Sequence, residues 1–208
     1  LAREQNWQVR TASKLDFSQS LEKVFKSDID IFIDFSDSST WPYVYSFAKR
    51  YQMPLISGTT GIDTLEQDLG SLSRNVAVMH SKNFSYGIFL LKNILSYLDI
   101  SSNDITIEES HHKFKRDAPS GTAIDLSHLL GIDPSDVKVT RQGDIVGEHS
   151  VSFKFDEQEV RIEHRAFSRK MFAIGAFKVI PWLLKKEKGL YTLEQYLKEV
   201  KSCPLDIQ

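Results

Sequence analysis

The sequence predicts an α/β chain in two parts: a doubly wound parallel sheet, then an α+β unit built on an open mixed sheet. Three observations carry this. As far as Phe84, short apolar runs alternate with helical patterns, the mark of parallel βα units. From Ile105 onward, extended segments alternate apolar with polar residues, as strands with one wet face do. The pattern changes near Phe84 with no Gly/Pro-rich hinge peptide.

Taken in order, residues 7–12 read as a strand, and Ser18 is a candidate cap for a helix carrying Leu21, Val24 and Phe25. Residues 30–35 form a buried strand that runs into Ser36-Asp37-Ser38-Ser39-Thr40, a loop of helix-starting residues. A helix follows to about Arg50. Residues 54–57 make the next strand and end in Gly58-Thr59-Thr60-Gly61. Leu65, Leu69 and Leu72 mark a helix, and residues 76–79 a further buried strand. In such a sheet, ligands bind beyond the carboxyl ends of the strands, and the post-strand loops here are small and polar. Residues 84–99 are apolar and helical. Residues 105–109, 137–141, 148–155 and 160–165 then alternate as strands. Residues 168–185 return to helix with Gly189 as a stop signal, and Thr192 with Gln195 forms a capping box for a last helix.

Composition narrows the function classes. Of 208 residues, 41% are hydrophobic and 26% charged, with a formal net charge of −2, so nothing points to a nucleic-acid or membrane-surface partner. The single cysteine, Cys203, forms no internal disulfide and fits a reducing, cytoplasmic setting. It stands in a tail and reads as inert. No segment approaches the roughly 18 apolar residues of a membrane span, and no signal-peptide pattern opens the chain.

The segment from Glu109 to Ala123, ESHHKFKRDAPSGTA, is the one that packing alone does not explain. His111 and His112 are adjacent, so in an extended backbone they face opposite ways. One can act as a proton donor near neutral pH while the other binds from the side. Lys115 supplies a positive charge for a carboxylate. Ser120 or Thr122 can cap the helix that follows Pro119, and Gly121 lets its backbone approach a ligand. First-turn N–H groups lack partners within the helix and attract anions. Glu108, Glu109, His111 and His112 are also possible zinc ligands, but they crowd into five consecutive positions and lack a metal-binding spacing, so no metal is expected.

Together these motifs resemble the 4-hydroxy-tetrahydrodipicolinate reductase (dihydrodipicolinate reductase) family of the diaminopimelate and lysine pathway. His-His-x-x-Lys-x-Asp-Ala-Pro-Ser-Gly-Thr-Ala is present from His111 to Ala123. Asp34-Phe35-Ser36, Gly58-Thr59-Thr60-Gly61 and Asn83-Phe84-Ser85 look like its cofactor loops. Arg141 with Gly143-Asp144-Ile145-Val146-Gly147-Glu148-His149, and the segment from Arg169 to Gly175, match further family blocks.

The resemblance implies a Rossmann-like dinucleotide-binding domain over residues 1–84, completed by 169–208, and a substrate-binding and oligomerisation domain over 85–168. It implies His111 as the general acid, and Lys115 as a carboxylate-binding residue that assists proton transfer. His112, Ser120, Gly121 and Thr122 become substrate contacts. Phe35, Ser36, Gly58, Thr59, Thr60, Ser81, Lys82, Asn83 and Phe84 become contacts to NADH or NADPH, and the assembly a homotetramer. Family members open on a strand and a G-x-x-G-x-x-G loop that this sequence does not contain, and that first unit is expected to precede Leu1. The competing reading is a non-catalytic, dicarboxylate-binding relative without the dinucleotide anchor. For cofactor choice, Lys14 leans towards NADPH and Asp37 towards NADH.

Overall fold

The computed structural model describes residues 7–13, 29–98 and 104–201. Its elements are β1 (Phe32–Asp34), α1 (Trp41–Tyr51), β2 (Leu55–Ser57), α2 (Leu65–Leu72), β3 (Ala77–His80), α3 (Tyr86–Ser96), β4 (Asp104–His111), α4 (Gly121–Leu130), β5 (Lys138–Arg141), β6 (Gly147–Phe155), β7 (Gln158–Ala166), α5 (Lys170–Leu183), β8 (Gly189–Tyr191) and α6 (Leu193–Lys201). The chain divides into two compact units, one of Leu1–Phe84 with Ala173–Gln208, the other of Ser85–Phe172.

The first unit holds a parallel sheet of order β1-β2-β3-β8. Each strand is only three or four residues long and its central residues are apolar, as a sheet covered on both faces requires. Trp41, Val44 and Ala48 of α1 pack with Leu55, Leu69, Leu72 and Val78 in one core. The indole of Trp41 donates to Asp68 Oδ2 at 2.8 Å and so ties α1 to α2. Helix α1 begins with a proline in its first turn, where the missing N–H costs nothing, and ends on Gln52 in the left-handed region. Gly189, expected as a helix stop, instead opens strand β8, which pairs with β3.

One expected strand is not formed. Residues 7–13 have no regular structure. Val9 is 57% exposed, while Trp7 stacks on the Phe177 ring (centroids 5.7 Å apart, 15° between planes) and Ala12 packs against Phe47 and Met53, so the apolar residues are used singly and not as one strand face. The helix expected around Leu21, Val24 and Phe25, together with Lys14 and Cys203, lies outside the described residues.

The second unit holds a mixed sheet of order β5-β4-β6-β7. β4 and β5 run parallel, while β6 is antiparallel to both β4 and β7. One face carries Ile107, Val151 and Phe153, which pack with Leu91 and Leu95 of α3 and with Ala123, Leu126 and Leu130 of α4. The other carries Glu108, Thr140, Glu148, Arg161 and Glu163 around a shallow depression.

A close approach shapes the first unit. A Cβ at Gly175 of α5 would overlap the Phe84 carbonyl oxygen. Gly175→Ala should therefore force two backbones apart and cost about 1–3 kcal/mol. A lowered melting temperature is expected; an unchanged one would contradict the contact.

Candidate active site

The alternation of β4 sends Ile107, Glu109 and His111 to the helix-covered face. Glu109 is 1% exposed, and a carboxylate so buried needs several donors. Its Oε1 accepts from the Ser120 backbone N–H at 3.0 Å and from Arg141 Nη2 at 2.6 Å. Its Oε2 lies 3.2 Å from His111 Nδ1 and 3.8 Å from His149 Nε2. His149 arrives from β6 because the register sets it opposite Glu109.

The same network starts helix α4. Ser120 is the N-cap, in extended conformation, and its hydroxyl accepts from the Ala123 N–H at 3.2 Å. The hydroxyl also lies 3.2 Å from His149 Nε2. Gly121 follows, exposed, and a Cβ there would meet nothing within 4 Å. A helix start thus stands beside a fixed anchor with open space over Gly121, a setting that suits an anion.

His112 turns away from this network, and its Nε2 accepts from Arg169 Nη2 at 2.9 Å. Lys115 Nζ donates to both oxygens of Asp117, at 2.8 and 2.7 Å. The charge read as waiting for a ligand is therefore already matched by the chain's own carboxylate. Arg141 joins the two groups, since its Nη2 also donates to the Asp117 backbone carbonyl at 2.6 Å.

In the first unit, β1, β2 and β3 end level with one another at Asp34, Ser57 and His80. The three following loops leave one edge. Asp34, 3% exposed, ties them together. Its Oδ1 accepts from the Ser36 N–H at 3.0 Å and the Ser36 hydroxyl at 2.5 Å, and its Oδ2 from the Ser57 hydroxyl at 3.0 Å. Thr59 Oγ1 donates to the Ser36 carbonyl at 3.3 Å, and His80 Nε2–H to the Thr59 carbonyl at 2.9 Å. The Ser81 hydroxyl donates to the Asn83 carbonyl at 2.8 Å, and Phe35 meets Phe84 edge-on at 5.3 Å. A Cβ at Gly58 would overlap the Phe35 ring, so the ring lies over this loop in its present position because residue 58 is a glycine. Thr60 and Lys82 are exposed on the same loops. Such a carboxyl-end cluster on a parallel sheet fits a dinucleotide.

Sequence reasoning gave the buried partners no role in the site. Glu109 was weighed only as a zinc ligand, although it stands two residues before His111 on a strand. His149 appeared only at the end of a family block, because the register alone brings it here. The zinc ligands weighed from sequence do not converge: Glu108 faces the other side and pairs with Arg161 at 3.0 Å. Glu109, His111 and His149 do offer ligand atoms within 4.8 Å of one another. The Arg141 guanidinium on Glu109 already serves as the cation of that cluster.

Burial pushes the Glu109 carboxyl up, but hydrogen bonds from His111, Ser120 and Arg141 outweigh it and hold the group well below the usual carboxylate range. Burial, helped by repulsion from His111, lowers His149 to about 3. His149 is therefore neutral in the fold, while in the unfolded chain it titrates near its ordinary value of about 6.5. Between those values the unfolded state binds the extra proton, so stability is lost as pH falls below about 6.5 and is unaffected above it. The loss approaches about 1.4 kcal/mol per pH unit at most. Thermal unfolding from pH 7.5 to 5 should show a shallower decline for His149→Gln than for the wild type. Parallel declines would contradict the burial of a neutral His149.

Comparison with known proteins agrees with this architecture. Family models for dihydrodipicolinate reductase match both parts of the chain, the N-terminus over residues 4–84 and the C-terminus over residues 87–197. A 4-hydroxy-tetrahydrodipicolinate reductase of Thermosipho africanus is 36% identical over 188 residues, spanning 89% of this chain and 85% of that protein. One from Campylobacter lari is 34% identical over 224 residues, spanning 95% and 92%. One from Wigglesworthia glossinidia brevipalpis is 35% identical over 192 residues, spanning 87% and 72%. Among solved structures, a dipicolinate-bound dihydrodipicolinate reductase from Paenisporosarcina sp. TG-14 shares the fold, with a TM-score of 0.67 at 21% identity over 92% of this chain and 82% of that one. By these matches, which run through both of its units, the chain belongs to the dihydrodipicolinate reductase family.

Proposed function

We infer that this chain is an NAD(P)H-dependent oxidoreductase that reduces 4-hydroxy-tetrahydrodipicolinate, by way of dihydrodipicolinate, to tetrahydrodipicolinate in diaminopimelate and lysine biosynthesis. Beyond family membership, one observation carries the reading. A candidate acid, His111, and an anion-ready helix start, Ser120-Gly121-Thr122, are anchored on the same buried carboxylate.

The second unit binds the dicarboxylate. Gly121 and Thr122 present first-turn N–H groups and a hydroxyl to one carboxylate, with Ser120 alongside. Lys115 exchanges Asp117 for a substrate carboxylate, a swap between two anions that leaves its charge matched throughout. His112 contacts the substrate from the side. His111 gives the proton that completes reduction of the ring.

The first unit holds the dinucleotide along Phe35, Ser36, Gly58, Thr59, Thr60, Ser81, Lys82, Asn83 and Phe84. The cofactor, NADH or NADPH, supplies the hydride. Asp37, on the loop after β1, is a point at which the chain distinguishes the two. The open, charged sheet face of the second unit serves as the assembly surface of a homotetramer. No described helix is long and apolar enough to cross a membrane, and we place the enzyme in the cytoplasm.

Steady-state kinetics with enzymatically generated substrate test the roles. His111→Gln should lower kcat by about 10²–10⁴-fold with little change in KM. Lys115→Ala should lower kcat and raise KM together. Normal turnover by His111→Gln would remove it as the acid.

A further inference from the structure

Glu109 Oε2 and His111 Nδ1 stand 3.2 Å apart, both buried, and among the described residues neither makes a formal hydrogen bond, so each is the other's nearest polar neighbour to satisfy. The carboxylate's other oxygen is fixed by Arg141 and the Ser120 N–H, so the group is ionised and can only accept. Were Nδ1 to carry a lone pair, two lone pairs would face each other out of water, an arrangement a buried site does not tolerate. The opposite edge of the ring is held as well. A Cβ at Gly147 would lie 3.0 Å from His111 Nε2 and 3.4 Å from its Cδ2. Gly147 is not among the positive-φ glycines, so it is there for room and not for backbone conformation. The His149 ring closes a third side edge-on, with centroids 5.2 Å apart and planes at 78°.

From this geometry we infer that Glu109 is a positioning residue, which fixes His111 as the Nδ1–H tautomer and leaves Nε2 as the atom that gives and recovers the catalytic proton. The inference rests on the reading of His111 as the general acid. In the charged imidazole both nitrogens carry hydrogen. As the new C–H bond forms on the substrate ring, the Nε2–H bond breaks and its electron pair stays on nitrogen. The two electrons of the reduction come with the hydride. His111 is left neutral, its remaining hydrogen on Nδ1 facing Glu109, and Nε2 takes a new proton from water.

Glu109→Gln separates this role from a merely structural one. The Gln carbonyl can keep the Ser120 N–H and Arg141, while its amide N–H₂ now faces Nδ1 as a donor. The neutral tautomer should then invert to Nε2–H. Long-range ¹H–¹⁵N correlation spectra of the wild type and Glu109→Gln, with His111 assigned by difference from His111→Gln, read this directly. The expected result is Nδ1–H in the wild type and Nε2–H in Glu109→Gln. It should be accompanied by a kcat lower by about tenfold to a thousandfold and a KM within roughly threefold. Neutral wild-type His111 protonated on Nε2 would overturn the assignment, and that spectrum stands whether or not the variant folds. Unchanged tautomer and turnover in folded Glu109→Gln would overturn it too. Full turnover by His111→Gln, with the wild-type ring still Nδ1–H, would instead overturn the reading of His111 as the acid.

Discussion

A carboxylate removed from water must be surrounded by donors, and in the second unit everything of chemical interest is arranged by how Glu109 meets that demand. Leaving such a charge unpaired would cost about 3–5 kcal/mol, a large part of a domain's stability. Its donors come from the backbone at Ser120 and from Arg141 on β5, and the His111 ring lies 3.2 Å from its other oxygen. Each of these also belongs to something else. Ser120 starts helix α4, Arg141 reaches the carbonyl of Asp117, which in turn holds Lys115, and His111 is the residue proposed as proton donor. Satisfying one buried charge therefore fixes the proposed anion-binding turn, a lysine's partner and the proposed acid in one arrangement.

The first unit uses the same device with a different reward. Asp34 ends β1 beneath three loops and accepts from Ser36 and Ser57. Ser57 and Thr59 are buried with it, at 0% and 2% exposure, so these polar side chains serve as struts between loops. What the struts hold in place is backbone at the carboxyl edge of a parallel sheet, where small residues let a dinucleotide come close. In both units a buried acid sits at or near the end of a strand, with residues proposed to meet the ligand bonded to it or close by.

Much of this was legible in the sequence because it is local. The short apolar runs became β1, β2 and β3, and the period-2 segments became β4, β6 and β7. The capping box at Thr192 is formed, with the Thr192 N–H donating to Gln195 Oε1 at 2.8 Å and the Gln195 N–H to Thr192 Oγ1 at 3.2 Å. Of the two caps read from the sequence, Ser120 and Thr122, it is Ser120 that caps α4. What was not legible depends on partners distant in sequence. Residues 7–12 have the alternation of a strand but pair with no strand among the described residues, and alternation alone does not supply a neighbour. The parallel pairing of β4 with β5 brings Arg141 to Glu109, and the antiparallel register of β6 brings His149. Neither follows from spacing. Lys115 was read as a charge for a ligand carboxylate because an ion pair with a residue two positions away leaves no signature.

The central point, that one buried carboxylate anchors an anion site it need not touch, is open to direct measurement. Calorimetric titration with pyridine-2,6-dicarboxylate, in saturating NADH or NADPH, would compare the wild type with Glu109→Ala shown to be folded by circular dichroism. If Glu109 holds the Ser120 turn in place, the variant binds at least about tenfold more weakly, a loss of about 1.4 kcal/mol or more. Wild-type affinity in the folded variant would mean that the turn and Lys115 form the site on their own, and that Glu109 matters to stability alone.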